Sequence, residues 1–191
     1  LEMIWTAVPA VVMTFLVVRG LDAWNTVMAD VGSDEDYIEI EAIGQLAGGI
    51  VAEACESAVL STGAGDIRLP RVGSATLNTG TGDISVDDAS GRLEIRTGTG
   101  DVHVGSSRGQ LSIVSGAGDV HAVVGEGSAE VRTGMGDVTV QVPSTVPVWQ
   151  DLTTGMGDVR SHVPSHGEPE PGEPFVKVAA RSGVGDVTLR V

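Results

Sequence analysis

Cysteine, lysine and aromatic side chains are nearly missing from this chain, and each scarcity excludes something. Cys55 is the only cysteine, which rules out an internal disulfide and a thiolate zinc site. Lys177 is the only lysine; with the arginines it makes 11 basic residues against 26 acidic ones, a net charge of −15. A surface of that sign repels phosphate, so nucleic acid is excluded as a partner and anionic lipid is disfavoured. Three Trp, two Phe and one Tyr among 191 residues leave Val, Ile, Leu and Ala to build the core. Catalytic signatures are missing as well. No Walker loop, His-Glu-x-x-His, Gly-x-Ser-x-Gly or Cys–His pairing occurs. The paired acids Asp87 and Asp88 read as a turn without a partner to separate their ionisation.

Glycine is what the chain has in excess, with 27 residues. Most of it belongs to a repeat. The string Gly-x-Gly-Asp-(Ile/Val) occurs with its aspartates at Asp66, Asp83, Asp101, Asp119, Asp137, Asp158 and Asp186, at spacings of 17, 18, 18, 18, 21 and 28. Four residues before each aspartate stands a hydroxyl residue: Thr62, Thr79, Thr97, Ser115, Thr133, Thr154 or Ser182. Apolar and polar residues alternate on both sides of the turn. Leu93, Ile95, Val102 and Val104 in one unit match Leu111, Ile113, Val120 and Ala122 in the next. Period-two alternation of β-branched residues marks half-buried strands. Two short strands per unit cannot bury an apolar face alone, but stacked units can. The expected fold is all-β: a single-stranded parallel β-solenoid with coils of about 18 residues, the repeat period. A degraded first coil is expected where Gly49 takes the aspartate position before Ile50, with Ile38, Ile40 and Ala42 alternating ahead of it. That makes about eight coils stacked ~4.8 Å apart.

Two excursions break the period. Pro143–Pro147 accounts for the spacing of 21, and the Pro- and Glu-rich run Pro164–Pro174 for the spacing of 28. The second reads as an exposed loop. Ahead of the repeat, residues 3–18 form an apolar run that contains Pro9. It is short for a membrane span and lacks the basic flank of a signal peptide. The chain therefore divides into an N-terminal segment, 1–36, and a solenoid, 37–191. The N-terminal segment is expected to cap the open solenoid end. Membrane contact through residues 3–18 and a misplaced start are the alternatives. A cytoplasmic location is expected, with the cell envelope or export as the alternative.

The aspartate ladder admits two readings. In the first it is structural: glycines tighten the turn, the carboxylate accepts turn N–H groups, and the Thr hydroxyl bonds across it. In the second it binds calcium through Asp66, Asp83, Asp101, Asp119, Asp137, Asp158 and Asp186. Calcium wants six to eight oxygens, and one carboxylate per coil supplies few. The first reading is preferred, so no metal, cofactor or catalytic residue is assigned. His103 and His121, each two residues after an aspartate, should stack on the outer face as solvated side chains. The residue between the glycines changes from Ala64, Thr81, Thr99 and Ala117 to Met135, Met156 and Val184, an apolar ridge suited to a partner.

These Thr-Gly-x-Gly-Asp-(Ile/Val) units resemble a bacterial adhesin-type β-strand-repeat domain family of unknown function, over about residues 46–191. The resemblance extends to the ending, where a strand around Val148–Val163 precedes the acidic loop and a last unit, Arg181–Val191. It implies a β-solenoid without known catalytic activity and defines no functional residues. The function expected is a non-enzymatic interaction or scaffold module, adhesin-like, with a protein partner or self-association. Calcium binding is one alternative. The other is end-to-end filament assembly through an open edge at Val187–Val191.

Overall fold

The computed structural model describes residues 39–47, 49–51, 54–164 and 175–191, with side-chain surroundings from Gly49 onward. The apolar segment 3–18, the cap expected over 1–36, Ile38 and residues 165–174 of the acidic loop lie outside the described residues.

Alternation sets the strands, and the glycine–aspartate turns and corners divide them. In chain order these are β1 (Glu39–Ala47), β2 (Ile50–Val51), β3 (Cys55–Ala64), β4 (Ile67–Thr81), β5 (Ile84–Ala89), β6 (Leu93–Thr99) and β7 (Val102–Ala117). They continue with β8 (Val120–Met135), β9 (Val138–Gln141), β10 (Val148–Met156), β11 (Val159–Ser161), β12 (Val176–Val184) and β13 (Val187–Arg190). Pairing between these strands is parallel and follows the repeat. Ile67 faces Ile84, then Val102, Val120 and Val138. The result is an all-β, solenoid-like stack of parallel strands in which one level is one turn with its flanking strands. The degraded first level takes its expected place: Ile40 pairs with Ala58, Ala42 with Leu60 and Ile50 with Ile67.

Inward positions form aliphatic columns. Leu60, Leu77, Ile95, Ile113, Val131 and Ala180 make one, and Ile67, Ile84, Val102, Val120, Val138 and Val187 another; all are at most 1% exposed. Burying a Val, Leu or Ile side chain contributes roughly 1.5–3 kcal/mol, so these columns carry the fold. Parallel stacking in register aligns like residues and leaves no room for rings, which is why aromatics are few. Asp87 and Asp88 lie at the end of β5 rather than on a turn, and Asp88 does have partners: Arg108 at 3.0 Å and Arg71 at 4.0 Å.

The order of the levels departs from the order of the chain. β12 pairs with both β8 and β10, and β13 with both β9 and β11. The last unit in sequence is therefore the seventh level, inserted between the β8–β9 level and the β10–β11 level. The Pro143–Pro147 excursion spans two levels at once, and the chain comes back one level after β11. The edge expected at Val187–Val191 is thus wrong for Val187–Arg190, which is paired on both sides of β13. The free edge belongs to β10 and β11.

Polar residues show why that level ends the stack. Gln150 pairs with Val178 and Ser161 with Leu189, so both stand at positions that are aliphatic one level below. Ser161 Oγ donates to Gln150 Oε1 at 2.7 Å, and Gln150 Nε2 donates to the Val163 carbonyl at 3.3 Å. Val163, Val146 and Leu152 pack partly buried against the core beside them. The interior thus closes under a small hydrogen-bonded polar cluster.

Candidate functional site

The glycine–aspartate edge holds every residue singled out for ion binding and the apolar ridge beside it. The structure places all seven aspartates in one column, in the order Asp66, Asp83, Asp101, Asp119, Asp137, Asp186, Asp158. Six of the seven carboxylates serve a neighbouring level rather than their own turn. Asp66 Oδ1 accepts from the Asp83 N–H at 3.0 Å, and Asp83 accepts from Asp101, Asp101 from Asp119, and Asp119 from Asp137, each at 2.8 Å. Asp137 accepts from Asp186 at 2.8 Å and Asp186 from Asp158 at 2.9 Å. The expected bond to the aspartate's own turn is therefore corrected to a bond between levels. A carboxylate accepting a backbone N–H is a charge-assisted bond, which offsets repulsion between stacked acids.

The hydroxyl column works on carbonyls. Thr133 Oγ1 donates to the Met135 carbonyl in its own turn at 3.1 Å. Thr154 Oγ1 donates to the Gly185 carbonyl and Ser182 Oγ to the Gly136 carbonyl, at 2.8 and 3.0 Å, across to a neighbouring level. These side chains are the main polar groups of the core, with Thr79 and Thr133 each 6% exposed. At Thr133, Thr154 and Ser182 the hydroxyl adds a bond to a turn carbonyl, whereas Thr97 Oγ1 and Ser115 Oγ are buried without a partner among the described residues.

With Oδ1 committed on six of the seven aspartates, one oxygen per level remains for an ion. Arg160 lies over the last two, 2.7 Å from Asp158 and 3.2 Å from Asp186. Among the described residues no three His, Cys, Asp or Glu side chains converge on a common point. This arrangement favours the structural reading. The melting temperature is expected to agree within about 1 °C between EDTA and millimolar calcium, a smaller difference than saturating a site produces. Asp101→Asn keeps an acceptor and should melt close to wild type, whereas Asp101→Ala should lose about 1 kcal/mol by urea titration.

The outer face two residues further on carries His103 and His121 on adjacent levels, as expected, with ring centroids 5.1 Å apart. Sequence spacing did not point to Arg190, whose guanidinium lies 3.1 Å from His121 Nε2. That contact needs His121 neutral, with Nε2 as acceptor. Burial, then the neighbouring His103 and Arg190, lower the His121 pKa. A folded pKa below the unfolded value means stability is present above the unfolded pKa and falls as pH drops through it toward the folded value. Wild type should therefore lose more melting temperature than His121→Gln between pH 7.5 and 5.0, a window spanning the ordinary imidazole value of about 6.5. Equal losses would remove His121 from the acid response. Cys55 is buried, and burial pushes its thiol pKa up, so it is a protonated core residue.

The apolar ridge is present and continuous. Register places Met135 beside Val184 and Val184 beside Met156, and the three are 58%, 44% and 69% exposed. The same column holds Ala64, Thr81, Thr99 and Ala117 at earlier levels. The aspartates, one glycine further along each turn, border the ridge with negative charge.

No curated protein and no solved structure matches the chain. Family comparison does place it, and the match starts at residue 37, ahead of the resemblance noted over about residues 46–191, so that β1 is included. Residues 37–190 match Toastrack DUF4097, a family of domains of unknown function with a β-repeat fold, and the chain belongs to that family.

Proposed function

We propose that this chain is a non-enzymatic interaction and scaffold module, a single-stranded β-solenoid that presents a binding ridge near one end. The observation that carries this reading is the Met135–Val184–Met156 ladder. Three exposed apolar side chains in register, on an edge otherwise made of small and acidic residues, form a patch rather than scattered exposure. Methionine suits such a surface because its flexible thioether adapts to a partner. Asp137 and the aspartates of the earlier levels favour a partner with an apolar centre and a basic flank on that side, since Arg160 already pairs Asp158 and Asp186. The repeated ladder gives the ridge a rigid base. An adhesin-like use would be the same contact made with a partner outside the cell.

The test is capture of binding proteins by wild type and by the triple variant Met135→Thr, Val184→Thr, Met156→Thr. All three are exposed last residues of their strands, so the variant should melt like wild type. Partners held by wild type should fall at least about tenfold in the variant, the scale of removing one hot-spot cluster. Equal capture by both proteins, or no specific capture by either, would overturn the reading.

A further inference from the structure

Among the described residues, the level formed by β10 and β11 has no strand neighbour except β12 and β13. Its other attachments go the same way. Gly185 N–H donates to the Met156 carbonyl at 2.8 Å and Val187 N–H to the Asp158 carbonyl at 2.9 Å. Arg181 pairs with Asp151 at 3.0 Å, and Lys177 Nζ sits 4.4 Å from the Trp149 ring centroid. On the opposite side β12 and β13 repeat the same chemistry toward β8 and β9. Val138 N–H donates to the Asp186 carbonyl, and Asp186 N–H to Asp137 Oδ1, both at 2.8 Å. The coil 176–190 therefore fills a slot whose two walls come earlier in the chain, and its backbone and aspartate bonds repeat those between other levels.

The covalent connection does not fix which copy fills that slot. Between β5 and β6 the corresponding corner takes only Ser90–Arg92. Between β11 and β12 it takes residues 162–175, a length that reaches about 45 Å when extended, where one step between levels is ~4.8 Å.

We propose that β12–β13 is exchangeable between two copies of this chain. The coil 176–190 of each copy then fills the slot between the β8–β9 and β10–β11 levels of the other, giving a closed twofold dimer. Contacts inside the slot are identical in monomer and dimer. The balance rests on the connection and on protein concentration, with a crossover near the millimolar effective concentration of a short tether.

The experiment uses the full chain with Cys55→Ser, Glu130→Cys and Ala179→Cys. Glu130 and Ala179 are register partners across β8 and β12, on the outward face, so the pair reports which copy supplies β12. The protein is partly unfolded in urea and refolded at about 10 μM and about 1 mM, values bracketing the tether's effective concentration from below and at its scale. Monomer and dimer are then separated by size exclusion with light scattering, oxidised, and run on a denaturing non-reducing gel. Expected is a dimer fraction at least tenfold higher at the upper concentration, its cysteine bond linking two chains, while the monomer's bond stays within one chain. Adding the three ridge substitutions to threonine should leave that fraction unchanged, which separates exchange from dimerisation through the ridge. Monomer alone at both concentrations, or a dimer whose cysteine bonds are all within single chains, would overturn the proposal.

Discussion

Gly100→Ala is expected to destabilise the protein by about 3–5 kcal/mol, the upper range for a point substitution. Gly100 has a φ of +135°, and a Cβ there would lie 2.1 Å from the Gly82 carbonyl oxygen and 2.6 Å from its carbon. Neither atom can yield alone, because the Gly82 turn is bonded to the Gly100 turn through the Asp83–Asp101 contact at 2.8 Å. The added methyl would pry two levels apart in the middle of the stack. Gly125→Ala is the matched control: its Cβ would meet nothing closer than 3.6 Å. The control should stay within about 0.5 kcal/mol of wild type. Urea unfolding of both variants, followed by circular dichroism, decides the point. A Gly100→Ala protein as stable as the control would mean that the glycines are not held by stacking.

Ending the chain at Pro164 is expected to unfold residues 148–161, which lie upstream of the cut. In a stack that followed chain order, the β10–β11 level would still rest on the β8–β9 level. Here β10 and β11 lose the only strand partners they have among the described residues, and five core residues disappear: Val176, Val178, Ala180, Val187 and Leu189, each 0% exposed. At roughly 1.5–3 kcal/mol for each buried Val or Leu, the loss is on the order of 8 kcal/mol. Hydrogen exchange should show amides of 148–161 exchanging as in an unfolded chain while those of 93–122 stay protected. Protected amides in 148–161 would contradict the inserted position of the last coil.

The period of the repeat, and with it the interior columns, could be read from the chain, because alternation reports directly which residues point inward. The same alternation is silent about which level lies next to which. Leu152 and Ala180 occupy the same column and carry the same inward signal, yet only pairing tells that Ala180 lies between Val131 and Leu152. One sequence signal did exist. Gln150 and Ser161 occupy interior positions of their unit, and only a terminal level tolerates polar groups there. The aspartate column was legible as structure, but the donor its carboxylate bonds was not. A carboxylate after glycine can reach its own turn or the next, and stacking distance chose the next. Arg190 reaches His121 along a diagonal between levels, which no linear spacing encodes.

Because the last coil is lodged inside the stack, the two ends of the described stack are formed by β1–β2 and by β10–β11, and the middle is free to change length. A tandem duplication of residues 93–110 would add one more rung with the hydrogen bonds of its neighbours, about 4.8 Å of reach. Neither the polar closure at Gln150 nor the Met135–Val184–Met156 surface would need to be redesigned. The repeat thus works as a ruler: the separation of the two ends can be set by copy number, while the contact chemistry at each end stays unchanged.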